Sequence, residues 1–162
     1  MRLDQLLLKA EQQLLDSDRF DSALNDAKSD AELLLAHCLD KTKVWLKTWP
    51  EKLVTEQQIA EFEFLLARRM QGEPLAYILG FQEFWSLNLK VTPDTLIPRP
   101  ETELLVELAL AHMPHQTEIK VADLGTGTGA IALAIASERP QATVFAVDFC
   151  KKALQVAQLN AQ

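Results

Sequence analysis

The chain has 162 residues, 48% hydrophobic and 24% charged, the balance of an ordinary soluble globular protein with room for one domain or two small ones. With 16 basic and 23 acidic residues its net charge is −7, which argues against direct binding of nucleic-acid phosphates. Cys38 and Cys150 lie far apart without CxxC spacing, and His37, His112 and His115 form no ligand set with them. These features argue against structural zinc or a disulfide framework and fit a cytoplasmic protein, and no signal peptide or membrane span is legible.

Residues 1–72 read as helices throughout. Leu3, Leu6, Leu7, Ala10 and Leu14 recur at helical spacing. Ser29-Asp30-Ala31-Glu32 has the form of a capping box opening Leu33 to Leu39, and Thr55-Glu56-Gln57-Gln58 is a second, starting Ile59 to Met70. Gly72 and Pro74 then stop that helix. Between them, Trp45 and Trp49 stand four apart in a predicted short helix, and both are expected inside, because so small a bundle needs large residues in its core.

The pattern changes over residues 73–98. Apolar and polar residues alternate from Leu87 to Thr92, as in a half-exposed strand, and proline follows at positions 93, 98 and 100, so this stretch is expected to be a hairpin linker. Pro100 suits the first turn of a helix running from Glu101 to His112, bounded by Pro114. Leu96 to Glu103 is open to two readings, a rigid linker or a wall of a ligand pocket.

Residues 99–162 hold the most informative stretch. A short β-rich run, Ile119 to Ala122, leads into Asp123-Leu124-Gly125-Thr126-Gly127-Thr128-Gly129 and then into an Ala-rich helical segment. Glycine tolerates positive φ and lets a ligand approach the backbone, so the order implies a strand–turn–helix unit built for a nucleotide-like molecule. A second strand, Ala142 to Val147, ends at Asp148, an acid placed to bond the hydroxyls of an adenosine ribose. Gly125-x-Gly127-x-x-Ala130 also satisfies the dinucleotide pattern. Asp123 discriminates: a carboxylate beside the turn opposes a pyrophosphate but favours the ammonium and sulfonium of S-adenosylmethionine. S-adenosylmethionine is therefore preferred over NAD, with Asp123, Gly125, Thr126, Gly127, Thr128, Gly129 and Asp148 as its candidate site residues.

Taken in order, Gly72 to Gly80, Glu83-Phe84-Trp85, Leu96 to Glu103 and the glycine turn together resemble the protein-(glutamine-N5) methyltransferases, which act on the Gly-Gly-Gln motif of peptide-chain release factors. The resemblance runs the whole length of the chain. It implies an α+β multidomain protein: a helical bundle over 1–72 that helps to hold the release factor, a hairpin linker over 73–98, and over 99–162 the incomplete start of a Rossmann-like S-adenosylmethionine-dependent methyltransferase domain. The family's later Asn-Pro-Pro-Tyr motif, which receives the target glutamine, does not occur in this sequence. No catalytic residue is therefore assigned. The expectation is the amino-terminal part of such an enzyme, inactive by itself. A short protein that only binds release factors is the next reading, and an NAD-binding protein a distant third.

Overall fold

The computed structural model describes residues 1–21, 25–114 and 118–162. Residues 22–24, within the stretch read as helical, and His115 lie outside the described residues. The chain divides into two compact units, Met1–Leu79 and Gly80–Gln162.

The first unit is helical: α1 Leu3–Leu15, α2 Ala27–Leu39, α3 Lys43–Thr48, α4 Glu56–Met70 and α5 Leu75–Leu79. Leu3, Leu6, Ala10 and Leu14 form the buried stripe of α1. They meet Leu34 and Leu35 of α2, Leu46 of α3, Phe62 and Leu66 of α4 and Ile78 of α5 in one core. Each fully buried leucine or phenylalanine contributes about 1.5–3 kcal/mol.

Of the two expected capping boxes, only the second forms. Thr55 accepts from the Gln58 N–H, and the Gln58 side chain returns to the Thr55 N–H. Helix α2 instead starts three residues before the expected site, at Ala27, with Asp26 accepting from the Ser29 N–H at 3.0 Å. The earlier start puts Ala27 and Ala31 on the core face, where burial favours them. Asp30 and Glu32 are drawn inside as well and are neutralised there. Asp30 pairs with buried Arg69 at 2.7 Å, and Glu32 with Lys43 and Lys47 at 3.3 and 3.5 Å.

The two tryptophans part company. Trp45 is half-buried against the core, whereas Trp49 is 45% exposed with the Lys52 ammonium 5.6 Å from its ring centre. Helix α3 ends at Thr48, so Trp49 lies past the last turn, and Leu46 fills the core position.

The second unit opens with an antiparallel hairpin, β1 Phe81–Phe84 and β2 Leu87–Lys90. Leu89 and Val91 turn inward, as the alternation from Leu87 predicts, and Phe84 of β1 is buried with them. A short 3-10 turn, Pro100–Thr102, has proline at its start and leads into α6, Glu103–Ala111. Then come β3 Lys120–Leu124, α7 Ala130–Glu138, β4 Thr143–Val147 and α8 Lys151–Asn160. Strands β3 and β4 are parallel, from Lys120 opposite Thr143 to Leu124 opposite Val147.

Phe84, Leu89, Val106, Ala130, Ala134 and Ile135 form the core here, with Val121 and Val144 packed against it. Buried Arg139 donates to the carbonyls of Leu110 and Met113 at the end of α6, where a cation meets the negative end of the helix. Phe145 and Val147, by contrast, are half exposed and Leu124 more so. Among the described residues, no helix is long and apolar enough to cross a membrane.

Candidate functional site

The turn after β3 is held by its own backbone and by two carboxylates. The N–H groups of Gly125 and Thr126 both donate to the Val147 carbonyl, at 2.7 and 2.9 Å, which ties the start of the turn to the end of β4. The Gly129 N–H donates to the Thr126 carbonyl at 2.8 Å and closes it. Gly125, Gly127 and Gly129 have φ of +82, +55 and +84°, the left-handed region that side chains resist.

These glycines serve two purposes. A Cβ on Gly125 or Gly127 would meet nothing within 4 Å, so the backbone there is open to a ligand. A Cβ on Gly129 would come within 3.3 Å of both Ala157 and Leu133, so here glycine allows α7 and α8 to pack closely.

Gly129 stands at the N-cap of α7 and offers no side chain to its free N–H groups. Asp123 substitutes from the end of β3. Its Oδ2 accepts from the Ala132 N–H at 3.2 Å and from the Thr126 hydroxyl at 2.7 Å. The carboxylate thus acts as a remote cap at the positive end of the helix. The sequence by itself predicts only an electrostatic part for Asp123.

Asp148, at the end of β4, accepts the Gly127 N–H on Oδ2 and the Cys150 N–H on Oδ1, each at 2.8 Å. The backbone donors at Cys150 and Gly127 hold its carboxyl below the ordinary aspartate range. Each oxygen keeps a further lone pair for a hydroxyl donor.

The turn forms one wall of a cleft of about 120 Å³, lined by Gly125, Thr126, Gly127, Thr128, Ala130 and Ile131. Leu96, Pro98, Arg99 and Thr102 line the other side. The proline-rich stretch therefore shares a cavity with the glycine turn. All the candidate site residues read from the sequence gather at or beside this turn. Asn160 was missed. Its side chain reaches the Thr128 carbonyl from the end of α8, and no local pattern marks a lone helical asparagine for such a contact.

Comparison with known proteins follows the same division. Residues 5–80 match the model of the PrmC N-terminal domain, and residues 101–162 that of the methyltransferase small domain. The release factor glutamine methyltransferase of Aliivibrio fischeri is 56% identical over 133 residues, covering 82% of this chain and 46% of that protein. The protein of the same name in Escherichia coli is 49% identical over 140 residues, with 86% and 50% covered. That in Salmonella typhimurium is 48% identical over 156 residues, with 96% and 53% covered. The chain thus spans about half the length of the curated relatives it matches. With both domain models in the order found here and about 50% identity along most of its length, the chain is similar to the amino-terminal part of the release factor glutamine methyltransferases.

Proposed function

We propose that the second unit carries the S-adenosylmethionine-binding turn of a methyltransferase that modifies, at N5, the glutamine of the Gly-Gly-Gln motif in peptide-chain release factors. The helical unit helps to hold the release factor, and the reaction belongs to the cytoplasm. The observation that carries the cofactor reading is the pair of open backbone positions at Gly125 and Gly127 directly beside the Asp148 carboxylate. A flat, uncharged adenosine fits such a surface, and the free lone pairs of Asp148 suit its ribose hydroxyls.

When bound, S-adenosylmethionine supplies an electrophilic methyl group on a positively charged sulfur. Around that position the chain's residues orient and discriminate. Asp123 sets negative charge at the end of β3, which favours a sulfonium and opposes a pyrophosphate. Arg99, on the opposite wall, offers a cation to the carboxylate of the methionine portion. Thr126 and Thr128 line the same cleft. No residue here is assigned to the target amide. Its nitrogen is a weak nucleophile that needs acceptors to hold its protons as charge develops. The Asn-Pro-Pro-Tyr motif that would receive it is not in this sequence.

Calorimetry of the 162-residue chain with S-adenosylhomocysteine and with NADH tests the reading. We expect heat of binding from the first alone, reduced by Asp148→Ala. Binding of NADH in place of S-adenosylhomocysteine overturns it.

A further inference from the structure

Asn160, the last residue of α8, makes three side-chain hydrogen bonds that join separate elements. Its Oδ1 accepts the Lys90 N–H at 2.7 Å, and its Nδ2 donates to the Lys90 carbonyl at 3.0 Å and to the Thr128 carbonyl at 2.9 Å. Lys90 stands opposite Phe81 in the hairpin, while the next N–H, of Val91, donates to the Gly80 carbonyl. The alternation of an antiparallel ladder therefore turns the polar groups of Lys90 outward. The Asn160 amide satisfies both, as a neighbouring strand would.

The third bond reaches the glycine turn. The Thr128 carbonyl and the Gly129 N–H share one rigid peptide plane, so fixing the first orients the second. That N–H closes the turn on the Thr126 carbonyl. Gly129, on one side of this plane, resists its rotation less than another residue would, so an external anchor matters here.

We propose that Asn160 is a positioning residue for the cofactor turn, its amide coupling the seating of the hairpin Phe81–Lys90 to the shape of Gly125–Gly129. The inference rests on the proposed cofactor reading for what the turn holds; the coupling itself stands on the three hydrogen bonds. It is reciprocal. Displacing the hairpin releases the Thr128 carbonyl, and a ligand that fixes the turn steadies the hairpin.

Asn160→Asp keeps the size of the side chain but removes both N–H donors and sets a carboxylate against two carbonyls. In hydrogen exchange of the 162-residue chain, protection should fall at Gly129, whose turn loses the Nδ2 anchor, while the β3–β4 ladder is unchanged. Lowering the pH protonates the introduced acid, returns one donor, and should restore part of that protection, a profile not expected of the native asparagine. Lys90→Pro removes an outward-facing N–H and fixes φ, both of which an edge strand tolerates, and should lower protection at Gly129 from the hairpin side. If Asn160→Asp unfolds the unit, the proline variant decides. Native-level protection at Gly129 in Lys90→Pro, or in a folded Asn160→Asp, overturns the proposal. S-adenosylhomocysteine should bind Asn160→Asp about tenfold more weakly, from lost hydrogen bonds. A native chain that binds none overturns the cofactor reading and leaves the exchange result to decide the coupling.

Discussion

Two aspartates flank the glycine turn and do different work. Asp123 looks inward, capping α7 through the Ala132 N–H while holding the Thr126 hydroxyl. Asp123→Ala leaves both donors without that acceptor, and Thr126 is 7% exposed, so little water can take its place. The expected loss is about 1–2 kcal/mol, in the range of a lost helix cap, read from urea unfolding of the chain. Asp123→Asn, which retains an acceptor oxygen, should lose less. Asp148 faces outward and holds the turn to the start of α8 through Gly127 and Cys150. Because its folded pKa is depressed, its contribution is complete above the ordinary aspartate value and is lost as pH falls through the lower, folded one. The amide resonances of Gly127 and Cys150 should therefore titrate together in acid, with a midpoint below that of an unstructured aspartate. A midpoint at or above the ordinary value would contradict the two hydrogen bonds.

Among the elements, the hairpin β1–β2 is the least conventional. Its loop, Trp85-Ser86, has φ of +53 and +61°, the two-residue turn that matches strand twist but normally takes Asn-Gly. The neighbourhood offsets the strain. The Trp85 N–H donates to Glu103 at 2.8 Å and its indole N–H to Glu138 at 2.9 Å, so a tryptophan is kept where glycine would be easier. Ser86→Gly should relieve the left-handed strain at the second position and raise stability by about 0.5–1 kcal/mol after the added flexibility of the unfolded chain. Thermal unfolding followed by circular dichroism checks it, and a lowered midpoint would show that Ser86 is better placed than its φ implies. Helix α2 teaches a related lesson. The Ser-x-x-Glu pattern at Ser29 is as good locally as the Thr-x-x-Gln pattern at Thr55, yet only the latter caps a helix. Asp26 wins at α2 because its position lets Ala27 and Ala31 reach the core.

For the molecule as a whole, the two units differ in how much they bury. Residues 1–79 hold their own core of Leu3, Leu14, Leu34, Phe62 and Ile78, with caps and a glycine stop. The isolated 1–79 segment should fold cooperatively, with a single transition in circular dichroism on heating; a gradual, non-cooperative melt would count against an independent unit. In the second unit the parallel pair β3–β4 leaves Leu124 77%, Phe145 52% and Val147 49% exposed, although parallel sheets are usually covered on both faces. Amides of β3 and β4 should accordingly be less protected from exchange than those of α1 and α4. Much of this organisation was legible in the residues alone. Helical spacing at Leu3 to Leu14, the glycine and proline stops, the alternation at Leu87 to Val91 and the strand–glycine–helix order are local signals, because period and backbone freedom are properties of neighbouring residues. The start of α2, the exposure of Trp49, the capping of α7 by Asp123 and the bond from Asn160 to Thr128 were not legible. Each depends on which surfaces meet. The free energy of burying an alanine or satisfying a carbonyl is set by partners far away in the chain, and only the tertiary structure brings them together.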